Sequence, residues 1–485
     1  MPSTAGAERA ARAAVVPLAL AQFVASYAAS NMNVAISSIA TDLDTSVTGI
    51  QTTITLFTLT MAALMIPGSK LTDIWGRKFC FQVGLVVYGA GALLASLAQG
   101  LPLLILGYSL LEGVGSALLI PPIYILITTL FHDTTARARY FGVVSGAAGI
   151  GAAAGPLIGG LVTSLLSWRA SFLLQVLIVV AIIWLGRGIA DPPLPAQRPA
   201  FDWPGAVLSA LGLFFVVFGV LQSGEYGWGT ATKDYAIGGT VVIPQGGLSP
   251  VWLYLGLGVV VLAVFVGYAW TRERSGRTPL VSVTLFANLT SNLGLLTQTL
   301  QWLVLQGAFF VISVFLQQVR GFSAIETGLV LVPATIGLLL SSAAAPRMAR
   351  RHRERRLIRF GFFVTTLGLG LLLLLGGTRP SVWSYIPGLF LTGIGVGIML
   401  TASVNLVQSV WPERVQGDIS GVSRSVSNLG SSLGVAIAGS LVAGAVPGGG
   451  QYFAAIVIVG GFAIIGWFAA LLLPWKEQRT APQQV

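Results

Sequence analysis

Fourteen runs of apolar residues, each broken off by a short polar or charged segment, set the rhythm of this chain. They cover residues 15–39, 50–67, 79–98, 101–130, 140–166, 171–185, 205–221, 251–270, 293–315, 327–345, 360–376, 382–407, 419–446 and 453–474. A helix needs about 20 apolar residues to cross a hydrocarbon layer ~30 Å thick. The pattern therefore predicts an all-α polytopic membrane protein with 14 spans.

An even number of spans puts both chain ends on one side of the membrane. Of the 27 Lys and Arg residues, 22 fall in the tails and even-numbered connections. Positive charge collects on the cytoplasmic side, so both termini are expected in the cytoplasm. The net charge of +11 is then a matter of topology, and no nucleic-acid partner is expected. A hydrophobic content of 55%, a charged content of 9% and a mean hydropathy of +0.84 leave too much apolar surface for a soluble core. The lone Cys80 has no partner for an internal disulfide. The first run is longer than the apolar part of a cleavable signal and carries Asn31 and Asn33.

The spans group as six, two and six. Residues 1–190 are expected to form one six-helix bundle and 289–475 another, with a cytoplasmic tail at 476–485. Between them, 191–288 hold a Pro-rich link, two additional spans and an outer loop at 223–250. The β-branched stretch at 239–243 suggests a short hairpin in that loop. The arginine-rich segment 347–359 takes the place in the second half that 68–78 takes in the first, as an internal repeat requires.

Segment 68–78, Gly-Ser-Lys-Leu-Thr-Asp-Ile-Trp-Gly-Arg-Lys, is the only charged interruption between Ile50 and Ala98, and is expected to be a membrane-side turn. It resembles the loop joining the second and third helices of major facilitator superfamily transporters, with Ser69 standing where that family usually has glycine. The resemblance implies a gating role for Asp73, Gly76, Arg77 and Lys78. In the fifth span Gly142, Gly146, Gly151, Gly155 and Gly159 recur at four-residue steps in two registers, which lets helices approach closely. Its ending, Gly155-Pro156-Leu157-Ile158-Gly159-Gly160, resembles the fifth-helix motif of antiporters in that superfamily and implies gating by Gly151, Gly155, Pro156 and Gly159. With fourteen spans, Trp168-Arg169 before the sixth and Phe201-Asp202-Trp203-Pro204-Gly205 opening the seventh, the chain resembles the fourteen-helix drug/proton antiporter family. That implies the major facilitator fold: two six-helix bundles rocking around a central cavity, with two extra helices.

Proton exchange needs a carboxyl within the membrane, where an unpaired carboxylate is costly. Of 16 acids only Glu112 lies inside an apolar run, about 16 Å along the helix from Leu101. It is the expected proton-coupling residue. The family's fourth-helix arginine is replaced by Ser109, and the acid many relatives carry in the first helix is replaced by Ala28. Arg424 is the only basic residue within a run, about 7 Å along the helix from Ile419; facing a cavity, it would pair with an anionic substrate or with Glu112. Gln298, Trp302 and Gln306 form a four-residue stripe in the ninth span. With Gln301, Phe309 and Phe310, and with Tyr27, Asn31, Asn33 and Tyr108 from the first half, they are expected to line the substrate cavity.

Both histidines, His132 and His352, fall in charged turns, and neither zinc-ligand spacing nor a Gly-x-Ser-x-Gly motif occurs. No enzyme activity, metal or cofactor is expected. The reading that results is a monomeric secondary transporter in a bacterial cytoplasmic membrane. It exports lipophilic small molecules, neutral or weakly basic rather than dicationic, in exchange for protons. An exporter or flippase of lipids is the second reading, and a non-transporting sensor or scaffold the third.

Overall fold

A computed structural model describes residues 4–131, 134–189, 200–237, 240–351, 353–376, 381–411, 415–442 and 450–474. The Pro-rich link at 190–199, both histidines and the tail after 474 lie outside the described residues. Among those described, 14 helices are long and apolar enough to cross a membrane. They are α1 Ala13–Asp42, α2 Val47–Trp75, α3 Arg77–Ser96, α4 Leu101–Ile127, α5 Gly142–Leu165, α6 Trp168–Gly186 and α7 Trp203–Tyr226. The second seven are α8 Pro250–Arg274, α9 Leu289–Val319, α10 Ala324–Ala344, α11 Glu354–Gly376, α12 Val382–Ser409, α13 Asp418–Val442 and α14 Gly450–Leu471.

Helices α1–α6 pack into one bundle and α9–α14 into another, with matching partners: α1 lies on α5 as α9 lies on α13, and α3 on α4 as α11 on α12. The bundles meet where α2 lies against α13, α5 against α10 and α1 against α9. Helices α7 and α8 pair with each other, and α7 leans on α2 and α13, so the insert flanks one seam between the bundles. Asp202 ties the base of this insert. It is 3% exposed, accepts hydrogen bonds from the Gly205 and Leu280 amides and the Tyr268 hydroxyl, and lies 3.7 Å from Arg272. The α7–α8 connection carries the expected hairpin, β1 Tyr235–Ile237 paired antiparallel with β2 Thr240–Ile243.

Segment 68–78 is not a turn. Helix α2 runs on through Asp73 to Trp75, and α3 begins at Arg77, so Gly76 alone breaks the chain, at φ +103°. Charge marks where the chain leaves hydrocarbon, whereas a helix ends where one residue departs from helical dihedrals; a positive φ is easy only for glycine. Other acids, such as Asp42, Glu225 and Asp418, also sit in end turns of helices that outrun their apolar stretches. Glu112 remains the one described acid in the middle of a span.

Only one of the two glycine registers of α5 meets a neighbour: Gly151, Gly155 and Gly159 face α1, while Gly142 and Gly146 have nothing within 4 Å among the described residues. A Cβ at Gly151 or Gly155 would collide with Phe23 or Ser30 of α1, and one at Gly159 would lie 2.9 Å from Asn31 Cβ. The other face, through Gly160, meets α10: a Cβ there would lie 2.6 Å from the Ala324 carbonyl oxygen. Gly430 and Gly434 do for α13 and α9 what Gly151, Gly155 and Gly159 do for α5 and α1, with the Thr299 and Leu303 carbonyls beneath them.

Candidate functional site

Glu112 closes a π-helical stretch, Ile105–Glu112, within α4. Such widened turns shift the faces of a helix and often mark functional positions. Helices α3 and α4 touch through glycines here: a Cβ at Gly91 would lie 2.6 Å from the Gly107 carbonyl oxygen and 2.7 Å from the Glu112 amide. Glu112 is thereby held inside the first bundle. It is 0% exposed; its carboxyl oxygens make no hydrogen bond of good geometry, and the Tyr88 hydroxyl is the polar group within reach of them.

Its surroundings are aromatic and amide rather than ionic. Tyr88 and Tyr108 share this interior with it. Tyr88 donates to Gln175 Oε1 and lies 3.3 Å from the Val24 carbonyl. Tyr108 donates to the Ala28 carbonyl at 3.2 Å and stacks on Phe57 with ring centres 4.5 Å apart. Ser109, in the place of the family arginine, donates to the Thr53 carbonyl at 2.7 Å. Tyr27 and Asn31 belong to the same interior, meeting Ser171 Oγ at 2.6 and 2.9 Å. Asn31 and Ser171 also line a shallow, closely packed concavity with Thr163, Trp168 and Phe172.

The residues expected to form one cavity wall therefore divide. Tyr27, Asn31, Tyr108 and Glu112 lie inside the first bundle. Gln301 turns into the second bundle, accepting from Ser403 of α12 at 3.1 Å, and Gln298 accepts from Ser423 of α13 at 2.9 Å. Gln306 and Arg424 are the two that cross between bundles. Gln306 donates to the Ala29 carbonyl at 3.4 Å. Arg424 donates to the Tyr124 hydroxyl of α4, its guanidinium 4.6 Å from the ring centre; its partner is thus Tyr124, not Glu112. Phe309 and Phe310 are buried in the core, Trp302 packs half-buried against it, and Asn33 is fully buried with both carboxamide atoms unpaired.

Three groups escaped the sequence reading: Tyr88 and Gln175 beside Glu112, Tyr124 beneath Arg424, and a row of α13 serines. Ser425 donates to the Ala62 carbonyl at 2.5 Å and Ser432 to that of Thr55 at 3.0 Å, both across the α2–α13 seam. Gln51 extends the row, donating to the Ala436 carbonyl at 3.1 Å. At the end of this seam nearest the termini Lys70 pairs with Asp418, and Asp73 has Lys70, Arg77 and Asp418 as charged neighbours. Polar residues recurring inside apolar spans were the available signal.

The comparisons with known proteins agree with this architecture. The chain is 30% identical over 423 residues to the probable actinorhodin transporter of Streptomyces coelicolor, covering 85% of this chain and 69% of that protein. It is 29% identical to the puromycin resistance protein pur8 of Streptomyces alboniger, covering 85% and 78%. It is 26% identical to the multidrug efflux pump LfrA of Mycolicibacterium smegmatis, covering 80% and 72%. The crystal structure of the peptide transporter POT in complex with sulfate superposes with a TM-score of 0.66 at 14% identity, over 94% of this chain and 93% of that one, which supports the fold alone. The chain is a multi-pass membrane transporter of small molecules and not an enzyme. The Major Facilitator Superfamily model matches residues 18–435, and to that superfamily the chain belongs.

Proposed function

We propose that the chain exports lipophilic small molecules by alternating access, in exchange for protons carried by Glu112, from a bacterial cytoplasmic membrane with both termini in the cytoplasm. The observation that carries this reading is the fully buried carboxyl of Glu112, which has no cationic partner among the described residues and only the Tyr88 hydroxyl within reach. An anion without a countercharge in such a place costs several kcal/mol. The group keeps a proton until a change of packing brings water to it, and that ties proton release to conformation. The antibiotic-resistance and multidrug relatives support export of drug-like compounds. The positive charge at the termini and even-numbered connections supports the orientation.

Glu112→Gln keeps the shape and removes the titrating group. In proteoliposomes with a pH gradient it is expected to abolish uphill accumulation while leaving exchange down a gradient measurable. Wild-type accumulation by correctly inserted Glu112→Gln protein would refute the proton role.

The same scarcity of acids sets the substrate class. A cation in a low-dielectric site needs a carboxylate partner, and a protonated Glu112 offers none. Neutral or weakly basic lipophiles are therefore expected to compete better than dications of matched size, and Trp302→Ala to weaken the neutral compounds. Superior competition by divalent dyes, with no effect of Trp302→Ala, would reverse this assignment.

A further inference from the structure

Near the membrane face opposite the termini, α9 widens into a second π-helical stretch, Phe315–Val319. From it Gln317, 8% exposed, reaches the first bundle. Its Nε2 donates to the Asn33 carbonyl at 3.1 Å, and its Oε1 accepts from the Ser37 amide at 3.0 Å. These two α1 groups are four residues apart, the pair that a regular helix joins to each other. One carboxamide from the second bundle thus clasps both ends of a helical hydrogen-bond position in the first.

The two α1 residues of the clasp, and the α9 turn before it, carry polar side-chain atoms without partners. Both carboxamide atoms of Asn33, the Ser37 hydroxyl and the hydroxyl of Ser313, one turn before Gln317 on α9, are buried and unpaired. Buried polar groups in folded proteins are nearly always satisfied, so this cluster asks for another arrangement in which water or a ligand reaches it. At the same end the Ile325 amide of α10 donates to Ser164 of α5 at 3.0 Å.

We propose that Gln317 is the gating residue of the face opposite the termini, a positioning residue whose carboxamide holds α1 to α9 while that face is closed. When the bundles part there, the Asn33 carbonyl and Ser37 amide still stand at the spacing of a regular helical pair, so α1 loses little. The Asn33 side chain and the two serine hydroxyls then gain water. Two bonds lost against four groups hydrated make a clasp that closes firmly and opens reversibly. This rests on the alternating-access reading, and its test separates the two.

The test uses Cys80→Ser protein with a single reporter cysteine and a membrane-impermeant thiol reagent. Ser313→Cys reports the opposite face; Gly421→Cys, where a Cβ has 3.7 Å of room beside Ser69 of α2, reports the terminal face. Gln317→Leu, with Gln317→Met as the second variant should the first fold poorly, is expected to raise labelling of Ser313→Cys about tenfold, as loss of two hydrogen bonds implies. It is expected to lower labelling of Gly421→Cys from the other side. Loosened packing alone would raise both, and that result, or labelling equal to the parent at both reporters, overturns the clasp. If the parent protein shows no reciprocal change between the two reporters when substrate is added, alternating access itself is at fault.

Discussion

Helix α2 meets α13 mainly through side-chain hydrogen bonds, whereas α10 meets α5 mainly by backbone packed over glycine, with Ser164 accepting from the Ile325 amide as its one described hydrogen bond. The two seams occupy equivalent places in the repeat, yet their chemistry differs along the whole depth of the membrane. In the first, the Lys70–Asp418 pair, Ser425, Ser432 and Gln51 form successive links from the terminal end to the opposite end. In the second, Gly160 lies under the Ala324 carbonyl and Gly328 under that of Pro156, and both contacts belong to the end opposite the termini. Toward the termini the described contacts are looser: Leu339 stands 3.5 Å from where a Cβ of Gly149 would be, and among the described residues nothing lies within 4 Å of one at Gly146 or Gly142. Hydrogen bonds between membrane helices are worth about 0.6 kcal/mol on average, whereas a backbone contact over glycine has no room to yield. The α2–α13 seam is therefore expected to slide, and the α5–α10 seam to pivot about its tight end.

The largest expected effect comes from filling that pivot. Gly160→Leu drives a side chain against backbone, and overpacking of this kind costs about 1–3 kcal/mol or more. Transport in proteoliposomes, normalised to inserted protein, is expected to fall more than tenfold. Gly146→Leu, on the same face at the open end, is expected to change it less than twofold. Equal losses at the two positions would mean that the seam does not pivot.

Next in size is the serine row. Ser425→Ala and Ser432→Ala each remove one bond across the α2–α13 seam, and together about 1–2 kcal/mol at the measured scale of such bonds. That shifts the balance of states roughly five- to thirtyfold toward the arrangement in which α2 and α13 separate. Labelling of Gly421→Cys from the terminal face reads it. No change in the double variant would reduce these serines to local packing.

The fourteen spans and the glycine face of α5 that meets α1 were legible because both rest on periodicity: run length gives a crossing, and glycine spacing gives a face. What periodicity does not give is the neighbour. Gln298 and Gln301, three apart in one span, turn to α13 and α12, and the candidate lining residues scatter over two interiors and one junction. Gln317 was hidden for a further reason, since a π turn rotates the helix face that a 3.6-residue period would assign to it. The segment 68–78 misled because its charges locate the membrane edge and not the helix end. Serines recurring inside the thirteenth span were a visible signal, but they do not name the helix they face, so the row on α13 acquired its partner only with α2 beside it.

The smallest expected effect belongs to the ion pair that closes the α2–α13 seam. Lys70 and Asp418 keep 20% and 32% of their side-chain surface exposed, and pairs so placed contribute about 0.2–1 kcal/mol, less in salt. Lys70→Gln or Asp418→Asn is therefore expected to raise terminal-face labelling of Gly421→Cys at most about fivefold. The increase should shrink as ionic strength rises and the wild-type pair is itself screened. Exchange of the two residues, Lys70→Asp with Asp418→Lys, restores the attraction and should restore labelling. A neutral variant that matches or exceeds the serine double variant would place the strength of this seam in its charges rather than its hydroxyls, and a swap that fails to recover would show that the pair does not act by charge attraction.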